Sequence, residues 1–452
     1  MVDLVENKEK SYYFIGIGGI SMAGLAQYLF ECGNAVSGSD SCGGEMVEKL
    51  RKKGVDVVVL GEPQFDRIDM ADVVVYTDAI PKENKELSYA ISVSKIVLSR
   101  ADLLGMICRD FLHTVAVGGS HGKTTCTAMC AHILMASKLP FCAHIGGEDL
   151  TLSNFWNAGN DYFITEACEY KKNLLKISAE VAILLNVDRD HMECYNGEED
   201  LYGAFSAFCL NAKHAVVCLD DPVASKVENA VTFSLYERKA NYRAVYLRQE
   251  RERYSFSVLE NGAKVCRIQL KVVGRCNVYN ALAAFAAMRL LGISVREIKL
   301  GLESFQGVKR RFEGIGRYNG AEIVCDYAHH PREIDAVVKT AERMVGGRLY
   351  VVFQPHTYSR TKQLMNDFVD VLRPIERLMV YKTYPARECF DASGDAMVLS
   401  EKIGGCLYAD SITALRIWLD STVSEGDFVL FLGAGDIYYV AKYLVNFSKF
   451  IA

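Results

Sequence analysis

Short apolar runs, each closed by glycine or polar residues and followed by a helix-like stretch, recur along most of this chain. In the first hundred residues they are Tyr12–Ile17, Val55–Leu60 and Val73–Tyr76, with a second strand at Ala35–Ser39 and an amphipathic helix running from the first glycine turn to about Cys32. Further on they are Val115–Val117, Tyr162–Thr165, Val181–Asn186, Ile323–Cys325 and Leu349–Phe353. Runs this short, without polar alternation, are strands of a sheet buried on both faces. The stretches Cys126–Leu134 and Ala281–Leu291 read as helices. The pattern predicts an α/β protein built from βαβ units. Residues 212–273 depart from it: strand-like runs at Ala215–Cys218, Ala244–Leu247 and Tyr254–Val258 make them β-rich, and they carry no identifiable chemistry.

A length of 452 residues corresponds to two or three domains. The segments divide best as 1–107, 108–308 and 309–452. Half the residues are hydrophobic and 24% charged, as in a soluble globular protein. A net charge of −5 gives no electrostatic case for nucleic acid or an anionic membrane. Met1–Lys10 is charged and lacks the apolar core of a signal peptide, and no uncharged apolar run reaches the ~18 residues of a membrane span. The 15 cysteines are odd in number and form no C-x-x-C; Cys126 and Cys130 alone are too little for zinc. Scattered reduced thiols point to the cytoplasm.

Two glycine turns carry the chemistry. The first, Gly16-Ile17-Gly18-Gly19-Ile20-Ser21, follows a strand and opens a helix, and Asp40 closes the next strand some twenty residues later. That is a dinucleotide-fold opening with an acid placed for a ribose, although Ser21 stands where Gly or Ala is usual. Alone, it would suggest an NAD-dependent oxidoreductase. The second, Gly118-Gly119-Ser120-His121-Gly122-Lys123-Thr124-Thr125, also joins a strand to a helix. Backbone N–H groups and a helix dipole then converge on one point, a phosphate cradle. Lys123 would reach the outer phosphates and the Thr124 hydroxyl would ligate Mg²⁺. The glycines Gly118 and Gly122 enclose three residues where a Walker A turn has four. An ordinary dehydrogenase has no need of this second turn.

Residues 119–125, Gly-Ser-His-Gly-Lys-Thr-Thr, resemble the ATP-binding turn of the Mur ligases, the amide-forming enzymes of peptidoglycan precursor synthesis, and of their alanine-adding branch in particular. The resemblance implies a Rossmann-like N-terminal domain, a central P-loop-type ATPase domain and a Rossmann-like C-terminal domain. It assigns Gly16, Gly18, Gly19, Ile20, Ser21, Ser39 and Asp40 to a UDP-sugar. Thr77–Pro81 matches a family loop, with Asp78 where Ser is expected, and Ile145-Gly146-Gly147 matches the loop after a second strand. Gly119, Ser120, His121, Gly122, Lys123, Thr124 and Thr125 would hold ATP. Glu166, opening Glu166-Ala167-Cys168-Glu169, would hold Mg²⁺ with Thr124. His191, in the Asn186…Asp190-His191 signature, would ligate a second Mg²⁺.

The same resemblance gives Asn277 and Asn280 to adenine, with Cys276 replacing the family's histidine. Arg311 becomes a phosphate clamp and Asp326 the ribose acceptor. Tyr327, His329, His356 and Arg360 would surround the amino acid; without the family, the histidines at these strand ends leave metal and hydrogen-bonding roles equally open. Tyr384–Glu388 and Gly433–Ile437 are further matches. The reaction implied is ATP-dependent ligation of L-alanine to the lactyl carboxylate of UDP-N-acetylmuramate through an acyl phosphate. Lys123, Glu166, His191 and Arg360 carry the catalysis, in a monomer or homodimer. The alternatives are a recycling ligase that adds a peptide to the same sugar, another amino-acid-adding Mur ligase, and a nucleotide-binding homologue without turnover.

Overall fold

A computed structural model describes residues 10–81, 83–250 and 253–451, with side chains through residue 447. The charged segment before Lys10 therefore lies outside the described residues. By the density of internal contacts the chain divides into two compact units, one of residues 10–248, 255–271 and 277–306, the other of 249–254, 272–276 and 307–451.

The first unit contains two sheets. Strands β1 (Ser11–Ile15), β2 (Ala35–Asp40), β3 (Asp56–Val59), β4 (Val73–Tyr76) and β5 (Ile96–Ser99) form a parallel sheet of order β3-β2-β1-β4-β5. Chain order reverses beside β1, so its C-terminal end and the following Gly16–Gly19 turn sit at the switch point where such sheets bind ligands. Alternate β1 residues face opposite ways: Tyr12 and Phe14 join one core, Tyr13 and Ile15 another. That two-sided burial is why the run carries no polar alternation.

The second sheet is built from β6 (His113–Gly118), β7 (Phe141–Asp149), β8 (Ser153–Asn157), β9 (Tyr162–Glu166), β10 (Val181–Leu184), β11 (His214–Cys218), β12 (Val231–Ser234), β13 (Tyr242–Glu250), β14 (Arg253–Glu260) and β15 (Ala263–Leu270). Their order is β15-β14-β13-β12-β11-β10-β6-β9-β7-β8, with β6 parallel to both β9 and β10. The helix Lys123–Ala136 that follows β6 buries nearly every side chain from Thr124 to Leu134. A helix buried on every face lies inside a core, and its Thr124, Thr125, Thr127 and His132 are buried with it. Ile145-Gly146-Gly147, expected as a loop, lies within β7; Gly146 is retained there because a Cβ would meet the Glu166 carboxylate at 2.5 Å.

The two sheets share one hydrophobic core running from Tyr12 and Leu25 to Phe163 and Phe205. The helix Ile20–Glu31 packs on β7 and β8, with Tyr28 meeting Phe111 and Phe155. His144 is buried at this junction, bonded to Ser21 O (3.0 Å) and Thr165 Oγ1 (3.0 Å). Burial pushes its pKa down to about 4, so it is a neutral structural group.

The second unit holds β16 (Glu313–Tyr318), β17 (Ala321–Asp326), β18 (Leu349–Phe353), β19 (Leu378–Tyr381), β20 (Leu407–Ala409) and β21 (Phe428–Leu432) in the order β16-β17-β21-β18-β19-β20. Only β16 pairs antiparallel. Phe428, Leu430 and Leu432 enter one core while Val429 and Phe431 enter the other, again a sheet covered on both faces. With the two sheets of the first unit this gives three α/β modules, as the family resemblance implies. No described helix is long and apolar enough to cross a membrane.

Candidate active site

The turn Gly119–Gly122 links β6 to the helix Lys123–Ala136. Gly119 (φ +134°) and Gly122 (φ +87°) take backbone conformations that side chains resist, and a Cβ on Gly122 would meet Asn280 Oδ1 at 2.5 Å. The neighbouring strand end fastens the turn from outside. Asn186 Oδ1 accepts from the His121 N–H (2.8 Å) and Asn186 Nδ2 donates to His121 O (3.0 Å). Ser120 Oγ accepts from the Asp188 N–H (2.8 Å), and His121 Nε2 lies 3.1 Å from Asp188 Oδ2. Asn280 donates to Asn277 Oδ1 (3.1 Å), so both predicted adenine residues stand beside the turn. Thr124 and Thr125 fall in the first helical turn and are buried.

Lys123 folds back over the turn. Its Nζ donates to Gly119 O (2.6 Å), Ser120 O (3.1 Å) and Glu169 Oε1 (3.0 Å), with Glu169 Oε2 at 2.9 Å. Burial alone would lower its pKa, but the Glu169 carboxylate outweighs burial and holds it above the ordinary value. Among the described residues, Glu169, Asp190 and His191 each offer a ligand atom within 4.8 Å of the others. Glu166 is not in that group: its Oε1 accepts from the Gly146 N–H at 2.6 Å. The structure thus brings His191 together with Glu169, which the residue pattern alone did not single out. The signal was present, since Glu169 ends the same Glu-Ala-x-Glu run.

On the first sheet, Asp40 Oδ2 accepts from the Gly18 N–H (2.8 Å) and Oδ1 from the Cys42 N–H (3.0 Å). Gly16 N–H donates to Ser39 O (2.8 Å), and the Ser39 hydroxyl bonds Glu86 (2.5 Å). Buried Glu86 also accepts from Tyr13 OH (2.7 Å) and the Gln64 N–H (2.9 Å). Gly19 caps the helix that Ile20 opens. Ser21 Oγ lies 3.1 Å from His144 Nε2 and accepts from Arg100 Nη1 (3.2 Å). Arg100, a cation beside the glycine turn, escaped the sequence pattern because nothing in its local run marks it.

In the second unit the C-terminal ends of adjacent strands gather the predicted residues. Asp326 accepts from the N–H groups of Ala328 and Phe312, each at 2.7 Å. The guanidinium groups of Arg310 and Arg311 both lie over the Tyr327 ring, 4.8 Å and 5.0 Å from its centre. His329 meets Tyr327 edge-on at 5.5 Å and the His356 ring at 5.9 Å. His356 stacks on Tyr384 at 5.6 Å, and its Nδ1 lies 3.2 Å from Arg360 Nη1. Gln354 ties the β18 end to Asp436 (2.7 Å) and to the Ile437 N–H (3.0 Å).

Family models match three stretches of the chain: the Mur ligase family catalytic domain at residues 11–112, the Mur ligase middle domain at 117–288 and the Mur ligase glutamate ligase domain at 310–435. A UDP-N-acetylmuramate–L-alanine ligase of Acetivibrio thermocellus is 38% identical, the alignment covering 99% of this chain and 98% of that one. The chain belongs to the Mur ligase family. A UDP-N-acetylmuramate–L-alanine ligase of Lachnospira eligens is 37% identical over 96% of this chain and 97% of its own. Among solved structures, the UDP-N-acetylmuramate–alanine ligase of Thermotoga maritima superposes with a TM-score of 0.85 at 27% identity, covering 98% of this chain and 100% of that one. A murein peptide ligase from Psychrobacter arcticus shares the fold, with a TM-score of 0.74 at 21% identity over 97% and 98% of the two chains.

Two expected outcomes follow from the side chains of this Mur ligase. Burial pushes the Asp326 pKa up to about 6, against the lowering by Arg311 and the two N–H donors. If Asp326 takes the ribose hydroxyls, as the resemblance implies, protonation converts that acceptor into a neutral acid and kcat/KM for ATP should fall as pH drops through about 6. Asp326→Asn should abolish that inflection; its persistence would remove Asp326 from the ribose site.

Among the 15 free thiols, Cys42, Cys276 and Cys389 are exposed. UDP-N-acetylmuramate should slow alkylation of Cys42, and ATP that of Cys276, each leaving the other unchanged in peptide mass spectrometry. Equal rates with and without ATP would place Cys276 away from the nucleotide. A thiol donates hydrogen bonds poorly, so Cys276→His should bind ATP up to about tenfold more tightly, the worth of one neutral hydrogen bond.

Proposed function

We propose that this chain joins L-alanine to the lactyl carboxylate of UDP-N-acetylmuramate in the cytoplasm, with ATP as the energy source and Mg²⁺ as cofactor. The observation that carries the reading is the pair of glycine turns on one compact unit, one opening the first sheet and the other backed by Lys123, Glu169, Asp190 and His191. The names of the relatives and their full-length match support the choice of substrates.

The donors fit the groups they are asked to hold. A glycine turn at a helix N-terminus suits triphosphate oxygens, and two carboxylates with an imidazole suit a divalent cation. Mg²⁺ would neutralise charge on the phosphoryl group in transfer. Lys123 places a cation at the same phosphates, and Asn186 with Ser120 fixes the turn against rotation. The lactyl carboxylate oxygen attacks the γ-phosphorus, ADP leaves, and an acyl phosphate results. The alanine amine then adds to its carbonyl carbon, loses a proton, and expels phosphate. Arg360 would hold the alanine carboxylate, with Tyr327, His329 and His356 around it. No covalent bond to the enzyme is required.

Phosphate release with UDP-N-acetylmuramate against a panel of amino acids and the L-alanyl tripeptide tests the reading. Release highest with L-alanine supports it. Release highest with the tripeptide would make the chain a recycling ligase, and nicotinamide-dependent redox turnover would make it an oxidoreductase.

A further inference from the structure

Asp78 follows β4, in the loop where the family resemblance leads one to expect serine. Its two carboxylate oxygens take separate donors from one short segment after β9: Oδ1 from Lys171 Nζ at 3.0 Å, Oδ2 from Asn173 Nδ2 at 2.9 Å. Between those donors the backbone is strained. Lys171 (φ 51°, ψ 28°) and Lys172 (φ 58°, ψ 27°) are successive left-handed residues, and neither is glycine. L-residues adopt this region singly and at a cost, so a consecutive pair persists only where the surroundings hold it. The holding groups are identifiable: Asp78 grips on both sides of Lys172, and Lys172 Nζ bonds Asp200 at 2.6 Å.

The strained pair decides what lies just upstream. Lys172 N–H returns to Glu169 O (2.9 Å) and Leu174 N–H to Cys168 O (2.8 Å). Within that reversal Glu169 faces Lys123, and the Tyr170 ring meets His191 edge-on at 5.2 Å. A carboxylate on the sugar-nucleotide sheet therefore holds the turn that presents Glu169 to the phosphate site. Burial would push the Asp78 carboxyl up, but Asn173 and Lys171 outweigh it and keep its pKa below the ordinary range.

We propose that Asp78 is a positioning residue: it clamps the Lys171–Lys172 turn and so couples the loop after β4 to the nucleotide and metal site around Glu169 and His191. The meaning of that site rests on the ligase reading above; the clamp itself does not.

The test has two readouts and no turnover. In the ligand-free protein, Asp78→Ala should speed amide hydrogen exchange across residues 170–174 while β9 and β10 stay protected. In calorimetry the same variant should bind MgADP about tenfold more weakly, a typical coupling between sites. Glycine enters the left-handed region without a side-chain clash. Adding Lys171→Gly and Lys172→Gly to Asp78→Ala should therefore restore most of the MgADP affinity, which no loss of a direct substrate contact would allow. Unchanged exchange and affinity in Asp78→Ala, or a loss that the glycines leave uncorrected, overturns the clamp. If MgADP fails to bind the unsubstituted protein, the ligase reading falls while the exchange measurement still decides the clamp. Should Asp78→Ala fail to fold, Lys171→Met removes one grip and must give part of the same two effects.

Discussion

Lys123→Ala lowers kcat by roughly three orders of magnitude and leaves UDP-N-acetylmuramate binding intact. Charge builds on the phosphoryl oxygens in transfer, and one prepositioned donor to such charge is worth about 3–4 kcal/mol. Lys123 is anchored beside the turn by two of its carbonyls and by Glu169. The Glu169 side chain is only 4% exposed, so the variant also leaves a buried carboxylate without its cation. Lys123→Ala/Glu169→Gln should consequently regain thermal stability relative to Lys123→Ala without regaining turnover. Phosphate release, calorimetry with the sugar nucleotide and melting curves separate the three effects. Turnover within tenfold of the unsubstituted protein would refute the role of Lys123.

Arg360→Lys raises the KM for L-alanine by between about ten- and a hundredfold, the worth of one or two charge-assisted hydrogen bonds. Its KM for ATP changes little. The planar fork grips a carboxylate with parallel N–H groups, and an ammonium cannot reproduce them. Here the fork is aimed by His356, whose Nδ1 accepts from Arg360 Nη1 at 3.2 Å while its ring stacks on Tyr384. His356→Phe keeps the stack and loses the aim, so it should raise the same KM by a smaller factor. Equal effects of Arg360→Lys on both substrates would move the residue to a phosphate role.

The parts of the fold carried by continuous apolar runs were legible in the sequence. Val73–Tyr76 and Leu349–Phe353 match their strands, because strands buried on both faces must be apolar throughout. Ile96–Ser99, β8 and β15 were not legible: the first is short and partly exposed, and β8 and β15 are edge strands whose exposed positions break the apolar run. Gly146 misled because glycine usually marks a turn, whereas here it makes room inside β7 for the Glu166 carboxylate. At the site, motifs located Lys123, His191 and the strand-end residues of the second unit. They did not single out Glu169, which stands with Asp190 and His191 just before the Lys171–Lys172 reversal. The Asp78 grip was equally hidden, because its partners lie more than ninety residues away.

The central claim is tested most directly with UDP-N-acetylmuramate carrying heavy oxygen in its lactyl carboxylate, incubated with ATP, Mg²⁺ and L-alanine. Attack by that carboxylate on the γ-phosphorus, followed by displacement by the amine, predicts one heavy oxygen in each phosphate released and a sugar nucleotide heavier by one alanine residue. Unlabelled phosphate, or labelled sugar nucleotide recovered without added alanine, would contradict it.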